Sequence, residues 1–382
     1  MIHLTEPSKC CGCSACVQRC PYSCITMQAD ADGFEYPVFD QAKCVDCHLC
    51  ETVCPVINMQ DSQMPISVYS AKHKSESVRL SSSSGGVFSL LAQMVLNNNG
   101  VVFGARFDSE WNVIHDSIYS EEHLHYLRGS KYVQSRIGNC FIEAERLLNE
   151  GRLVLFTGTP CQIAGLNNYL GKSYENLLNV DIVCHGVPSP KLWQDYISSL
   201  GINDIHSIDF RCKDTGWKSY SIKVTGKNEL YQTRYSNDPY IKAFLKDLSL
   251  RPSCYSCPAK PGRSHSDITL GDFWGIANFD PEIDDDKGIS LVLVNSSKGD
   301  YFIKSIDNGI FKSMSYDIAV EGNPSIIRSS PRKEIVDEFW KYFHRNGTKG
   351  MSKVIKKLNR PKLSLGIVID VLKWKIINLI KK

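Results

Sequence analysis

The chain has 382 residues, 42% of them apolar and 22% charged, and a net charge of +3. That composition excludes a disordered chain, and the charge is too small to point to nucleic acid. At about 100–200 residues per domain, the length accommodates two or three domains.

The charge is unevenly placed. Residues 1–62 carry three basic and eight acidic side chains, residues 63–350 sum to zero, and residues 351–382 carry nine basic and one acidic. Sixteen residues are Cys, ten of them within residues 1–54. The opening MIHLTEPSKC lacks the apolar stretch of a secretory signal, and no apolar run is long enough to span a bilayer. A Cys-rich chain of this kind is expected in the reducing cytoplasm, where metal or redox chemistry outranks a disulfide scaffold.

Residues 10–21 read CCGCSACVQRCP and residues 44–55 read CVDCHLCETVCP. Cys10, Cys13, Cys16 and Cys20 precede Pro21 with the same spacing as Cys44, Cys47, Cys50 and Cys54 before Pro55. This is the repeat of a ferredoxin that binds two 4Fe–4S clusters. Three close thiolates cap one face of a cubane. The fourth Cys, turned away by its Pro, serves the other cluster. The predicted sets are therefore Cys10, Cys13, Cys16 and Cys54, and Cys44, Cys47, Cys50 and Cys20. Zinc also takes thiolates, but its CxxC pairs do not call for this repeat. Cys11 and Cys24 fall outside the pattern and read as spare thiols. Between the motifs, residues 30–40 (DADGFEYPVFD) read as two short strands turning at Asp32-Gly33. The acidic surface of this module suits a redox partner with a basic face. The segment VINMQDSQMP follows as a polar connector ending at Pro65.

The remaining chain reads as an α/β body. Strands are predicted at 67–73, within GVVFGARFD and WNVIHDSIY, at 152–158 and at 179–186. Ser81 to Gly86 is a loop feeding a helix, with Ser84 as its expected N-cap. Helices follow at 139–151 and 160–171. The strand–turn–helix–strand run predicts a parallel pair, with ligands beyond the carboxyl ends of its strands. Further strands are expected near 206–212, 219–225, 229–235, 267–271 and 289–295, with a helix at 238–249. The fold class is thus an α+β ferredoxin-like module followed by an α/β body with a mixed, partly parallel sheet.

Four features of the body carry possible chemistry. The Ser81–Gly86 tract is either a flexible linker or a phosphate cradle at a helix N-terminus. The turn Thr157-Gly158-Thr159-Pro160-Cys161-Gln162 exposes Thr159 and Cys161, or is an ordinary turn with a buried Cys. RPSCYSCP (251–258) is a further CxxC, readable as a redox pair, half a zinc site or half a cluster site. Cys161 and Cys184 could complete it, with Cys140 and Cys212 as rivals and Cys184-His185 as a zinc option. The fourth feature is Gly216-Trp217 with Gly271-Asp272-Phe273-Trp274-Gly275, either core or the lining of a cavity.

The two ferredoxin motifs, SSSSGGVFSLLA, GSKYVQS (129–135), TGTPCQIAGL, CHGVPSP (184–190), FRCKDTGWKSY (210–220), RPSCYSCP and DITLGDFWGI (267–276) occur in this order. Together they resemble the coenzyme F-420 hydrogenase/dehydrogenase beta subunit family over about residues 1–300. The resemblance implies FAD and a third 4Fe–4S cluster in the body. It implies electron exchange among the clusters, the flavin and a hydride-carrying substrate, in archaeal members an 8-hydroxy-5-deazaflavin coenzyme. Relatives associated with polysaccharide synthesis suggest a second context, with another metabolite as substrate. Carried over by motif, Ser83, Ser84, Gly85 and Gly86 hold the flavin pyrophosphate, and Lys131, Tyr132, Thr157, Gly158, Thr159 and Gln162 line the flavin. Cys161, Cys184, Cys254 and Cys257 match the body cluster ligands. No motif designates a catalytic residue.

The implied division is a two-cluster domain at 1–58, a linker at 59–66, the two parts of the body at 67–150 and 151–345, and a basic amphipathic tail at 346–382. In the tail Leu365, Val368, Leu372, Ile376 and Leu379 share one helical face, with Trp374, Lys373, Lys375, Lys381 and Lys382 beside them. That is the pattern of a helix lying on the inner face of a membrane, or of one docked on the body or on a second copy. The expected function is an iron–sulfur flavoprotein oxidoreductase with a ferredoxin-like donor or acceptor and a small-molecule substrate. The alternative is a non-catalytic subunit that wires electrons to a separate catalytic partner. Nucleic acid is not an expected partner.

Overall fold

The protein is described by a computed structural model over residues 6–358. In the N-terminal module, β1 (Ile25–Ala29) and β2 (Glu35–Phe39) form an antiparallel hairpin. The turn lies at Asp30 to Gly33, as expected, but the first strand starts earlier, before the DADG turn residues. Asp and Gly favour the turn over the ladder, which moves the strand back to ITMQA. Short helices Ala15–Arg19 and Leu49–Thr52 follow the two Cys loops.

The body is built on β3 (Ser67–His73), β4 (Val101–Phe107), β5 (Val113–Ile118), β6 (Val154–Gly158) and β7 (Leu177–Ile182). β8 (Ser207–Cys212), β9 (Ser221–Thr225) and β10 (Leu230–Arg234) form a separate antiparallel meander. β11 (Ile268–Asp272), β12 (Ser290–Val294) and β13 (Gly309–Ser313) return to the main sheet. Its order is β13-β3-β12-β11-β7-β6-β4-β5. β4, β6, β7 and β11 are mutually parallel, and antiparallel strands flank them on both sides. All five residues of β12 are buried, because helices and loops cover both faces of the sheet.

The helix Pro160–Leu170 begins with Pro at its first turn and a Thr159/Gln162 capping box, and ends at Gly171 in the left-handed region. That cap aims the residues after β6 at the sheet's carboxyl edge. The helix Val87–Asn97 is capped by Gly86, not by Ser84. Gly86 adopts φ 90, which suits Gly, while the Ser84 hydroxyl donates to the Ile289 carbonyl at 2.7 Å. A helix Ile335–Leu358, kinked at Gly347, runs across residue 346, where the sequence reading begins the tail. Leu365, Val368, Leu372, Ile376 and Leu379 lie outside the described residues, as does the rest of that amphipathic stretch. Among the described residues no helix is long and apolar enough to cross a membrane.

The module packs into the body. Cys11, Cys13, Ala15 and Val53 share one buried cluster with Phe141, Phe156, Ile163 and Leu166. Phe34, at the hairpin turn, is fully buried and meets Trp340 edge-on at 6.3 Å. The polar connector is pinned as well. Gln63 N donates to the Gly262 carbonyl at 3.1 Å, Gln63 Nε2 to the Asn295 carbonyl at 2.6 Å, and Ile66 N to the Val294 carbonyl at 2.7 Å.

Candidate electron-transfer site

The two Cys loops of the module repeat one backbone conformation. Gly12 and Ser14 have φ of 70 and 60, and Asp46 and His48, two and four residues after Cys44, have φ of 53 and 61. Paired left-handed positions curl a loop so that successive N–H groups face inward, a shape that receives anions. Cys16 has Cys10, Cys54 and Cys50 as charge neighbours, and Cys13 has Cys16 and Cys54. Burial, then repulsion from these thiols, pushes the Cys16 thiol up to about 12. Such thiols ionise only against a cation, as iron provides. Cys20, Cys44, Cys47 and Cys50 line one small cavity together with Cys24. Cys24 is buried, with its sulfur 3.3 Å from that of Cys20.

In the body, Cys161, Cys184, Cys254 and Cys257 converge from the ends of β6 and β7 and from the turn Pro252–Ser256. Cys254 has Cys184, Cys161 and Cys257 as charge neighbours, and Cys184 has Cys161 and Cys257. Burial raises Cys184 to about 12 and Cys257 to about 11. Val187 N–H donates to the Cys254 sulfur at 3.4 Å, and Lys260 Nζ donates to the Cys184 carbonyl at 2.6 Å. The rival thiols lie elsewhere. Cys140 neighbours Glu143 and Asp116, and Cys212 neighbours Asp214. His185, the zinc option, has its Nε2 2.7 Å from Asp247 Oδ1. Among the described residues no three Cys, His, Asp or Glu side chains converge as around a single metal ion. A 4Fe–4S cubane instead takes one thiolate at each of its separate irons.

Cys11 is not a spare thiol. It is buried in one cluster with Cys13, and Cys161 packs against that cluster, so it stands between the first module set and the body set. Its interaction with Cys13 and its burial push its pKa well past the usual thiol range, against the opposing pull of Cys161. Gly165 makes the close approach possible. A Cβ there would sit 2.9 Å from the Cys13 sulfur. Sequence spacing could not reveal this, because the signal is a contact between residues more than a hundred positions apart.

The residues assigned to flavin form an arc rather than an open cradle. The Ser83 hydroxyl accepts from Ser130 N at 2.6 Å and from the Ser130 hydroxyl at 2.8 Å. Gly85 N donates to the Ser290 hydroxyl, and a Cβ on Gly85 would strike the Ala71 carbonyl. Lys131 Nζ donates to the carbonyls of Tyr126, Leu127, Arg128 and Gly129, and burial lowers its pKa to about 7. The Tyr132 hydroxyl accepts from Arg211, which is buried against Asp272 and lies over Trp274 at 5.1 Å. Asp272 also accepts from Trp217 Nε1, so the Gly-Trp set is built around an ion pair. Thr157 Oγ1 donates to the Phe103 carbonyl, and Gln162, besides capping, donates to the Ser135 hydroxyl. A shallow cavity opens beside Asp181, Cys184 and Lys260, and none of the assigned flavin residues lines it.

Three observations nonetheless fit a flavin. The N-terminus of Val87–Asn97 has no side-chain cap. Arg128, missed in the sequence, holds Ser89 at 3.0 Å and Ser81 at 3.2 Å beside that tract. His115, also missed, is buried next to Gly158. Its Nε2 donates to the Thr157 carbonyl, and its Nδ1 has no partner among the described residues. Burial lowers its pKa to about 4, so that nitrogen is an acceptor at neutral pH. An uncapped helix start with a cation suits a pyrophosphate, and a buried acceptor suits a ring N–H.

Residues 151–317 match the family model for the C terminus of the coenzyme F420 hydrogenase/dehydrogenase beta subunit, and residues 9–58 match the 4Fe-4S dicluster domain. An uncharacterized protein in the rpl9-rpl11 intergenic region of Porphyra purpurea is 37% identical over 57 residues, 14% of this chain and 76% of that protein. A chain of the F420-reducing NiFe hydrogenase complex from Methanosarcina barkeri superposes with a TM-score of 0.47 at 17% identity, covering 81% of this chain and 97% of that one. The dicluster match makes the module an iron–sulfur domain.

Proposed function

From the premise that the chain belongs to the coenzyme F-420 hydrogenase/dehydrogenase beta subunit family and carries a 4Fe–4S dicluster domain, we infer that it is an iron–sulfur flavoprotein oxidoreductase. It exchanges electrons with a ferredoxin-like carrier and a hydride-carrying small molecule. A deazaflavin coenzyme, or a metabolite of polysaccharide synthesis, is the class of substrate proposed. The observation that carries this reading is the buried cluster that Cys11 and Cys13 share and against which Cys161 packs, which sets the module's thiols against the body's.

Each part of the chain has a share in this reading. Cys47 is exposed, close in sequence to the exposed Val45 and the acidic residues Asp46 and Glu51, and presents the outer site to a partner with a basic face. Cys10, Cys13, Cys16 and Cys54 hold the inner module cluster, and Cys20, Cys44, Cys47 and Cys50 the outer one. Cys161, Cys184, Cys254 and Cys257 hold the body cluster. Cys161 lies in the same turn as Gly158, Thr159 and Gln162, so that site adjoins the flavin residues. Ser83, Ser130 and Arg128 bind the pyrophosphate, and the neutral His115 accepts a ring N–H through Nδ1. A bound flavin supplies the exchange between single electrons and a hydride.

Iron, sulfide and flavin measured on one anaerobic sample of the full chain test this. About twelve irons and one flavin per chain are expected from three cubanes. Three clusters without flavin would leave an electron-wiring subunit for a separate catalytic chain.

A further inference from the structure

Arg251 joins the module to the body and has no carboxylate among its contacts in the described residues. It is fully buried, three residues before Cys254. Its backbone is fixed at the body site, since its N–H donates to the Val187 carbonyl and its carbonyl accepts from Cys254 N, both at 2.9 Å. Its side chain leaves the body for the module. Nε donates to the Cys10 carbonyl at 2.7 Å and Nη2 to the Glu35 carbonyl at 2.9 Å. Nη1 donates to Gln134 Oε1 at 3.0 Å, and Gln134 donates in turn to the Cys11 carbonyl at 3.1 Å. The rings of Tyr36 and Phe34 lie 4.3 and 5.6 Å from the guanidinium carbon. A Cβ on Gly12 would stand 2.9 Å from Nη1, so the first Cys loop rests on the guanidinium.

Every hydrogen-bond acceptor in that set is neutral. A buried cation is costly unless an anion offsets it. The other two arginines buried among the described residues follow that rule, Arg79 with Asp285 and Arg211 with Asp272. For Arg251 the available anions are the two thiolate groups that it links, through the Cys10 carbonyl on one side and the Cys254 turn on the other. A clustered set of thiolates carries net negative charge, and a fixed cation beside it favours the reduced, more negative state.

We propose that Arg251 is the shared counter-cation of the Cys10-Cys13-Cys16-Cys54 site and the Cys161-Cys184-Cys254-Cys257 site. As a positioning residue it locks the two against each other and raises the reduction potential of both. The proposal rests on the reading that both sites hold clusters.

The test is a redox titration of the anaerobically purified full chain, followed by electron paramagnetic resonance. Each signal is assigned by its loss in Cys50→Ser, Cys16→Ser or Cys257→Ser. Iron content is measured first. Wild-type protein lacking iron at either site overturns the cluster reading itself. With iron present, Arg251→Gln should shift the inner module and body potentials downward and leave the Cys44-side cluster unmoved. Arg251→Lys, which keeps the charge, should restore most of the shift. Arg136→Gln breaks the exposed Arg136–Glu35 contact at the same seam and should move none of the three. Unchanged potentials in Arg251→Gln overturn the proposal, as does an equal shift of all three. If Arg251→Gln loses iron, Arg251→Lys decides. Full iron and near wild-type potentials in the Lys variant support the counter-cation. Loss of iron to the same extent overturns it in favour of a purely steric role.

Discussion

The two thiol-bearing regions of the molecule are built by different means. In the module, short loops with paired left-handed residues gather their thiols locally, Cys54 lies beside Cys13 and Cys16 of the other motif, and Cys20 lines a cavity with Cys44, Cys47 and Cys50. In the body, Cys161 and Cys184 stand at neighbouring strand ends, while Cys254 and Cys257 come from a turn almost a hundred residues after Cys161. The first arrangement depends on loop conformation, the second on the whole sheet. A third region, the arc of residues proposed for the flavin, differs from both. Its hydroxyls and amides are already bonded to the protein, and its residues are joined mainly through the 128–132 loop. A site made of local spacing is legible in a sequence, and a site made by topology is legible only once the strands are placed.

The largest effects are expected where a whole site is removed. Cys20→Ser should abolish the cluster of Cys44, Cys47 and Cys50 and spare that of Cys10, Cys13 and Cys16, although Cys20 is the sequence neighbour of the latter. Spectra that lose the Cys10-side signal instead would break the crossed assignment. Cys257→Ser in the full chain should lose about four irons and keep about eight, with flavin retained. The intact chain is the right sample. Removing the module would uncover Phe141, Ile163 and Leu166, which it helps to bury.

Gly165→Val probes the join between the two regions. Its side chain would enter the space of the Cys13 sulfur, and overpacking of this kind costs about 1–3 kcal/mol. We expect a lower unfolding midpoint and iron loss at the inner module site first, with the outer site spared. Equal iron loss at all three sites would mean that the module and body do not meet at Cys13.

Gly86→Val bears on the proposed flavin residues alone. Gly86 holds φ 90, where a β-branched residue is strained by about 1–2 kcal/mol. The change should cost flavin and leave iron content intact. A chain that keeps its flavin would make the Ser/Gly tract a structural cap only.

The strands are largely legible, because runs such as LVLF and SLVLV are continuous and apolar between turn residues, the mark of a sheet covered on both faces. The body thiol set is reached through the family motifs, and the residue spacing alone leaves Cys140 and Cys212 open. Other features leave no local signal. Ser84 reads as a cap because serine usually caps, yet the backbone reserves that place for Gly86 and gives the Ser84 hydroxyl to Ile289. The helix Ile335–Leu358 contains Gly347 in a non-helical conformation, which interrupts its periodicity. Cys11, Arg251 and Gln134 gain meaning only from contacts that cross between the module and the body.

The smallest effect concerns His115. Its buried ring has a pKa near 4, against about 6.5 in an unfolded chain. The unfolded state therefore binds more protons than the folded state between these values. Stability from this group is complete above about pH 6.5 and is lost progressively as the pH falls toward 4, on the order of 3 kcal/mol in all. His115→Gln keeps a donor for the Thr157 carbonyl and removes the titration. Urea unfolding midpoints of the two chains should be compared at about pH 7.5 and about pH 5. Acid acts on the thiol sites of both chains alike, so the difference between them isolates the imidazole. The variant should gain on the wild type as the pH falls. A difference that does not change with pH would mean that His115 is solvated rather than enclosed, and the acceptor at its Nδ1 would then be satisfied by water instead of by a flavin.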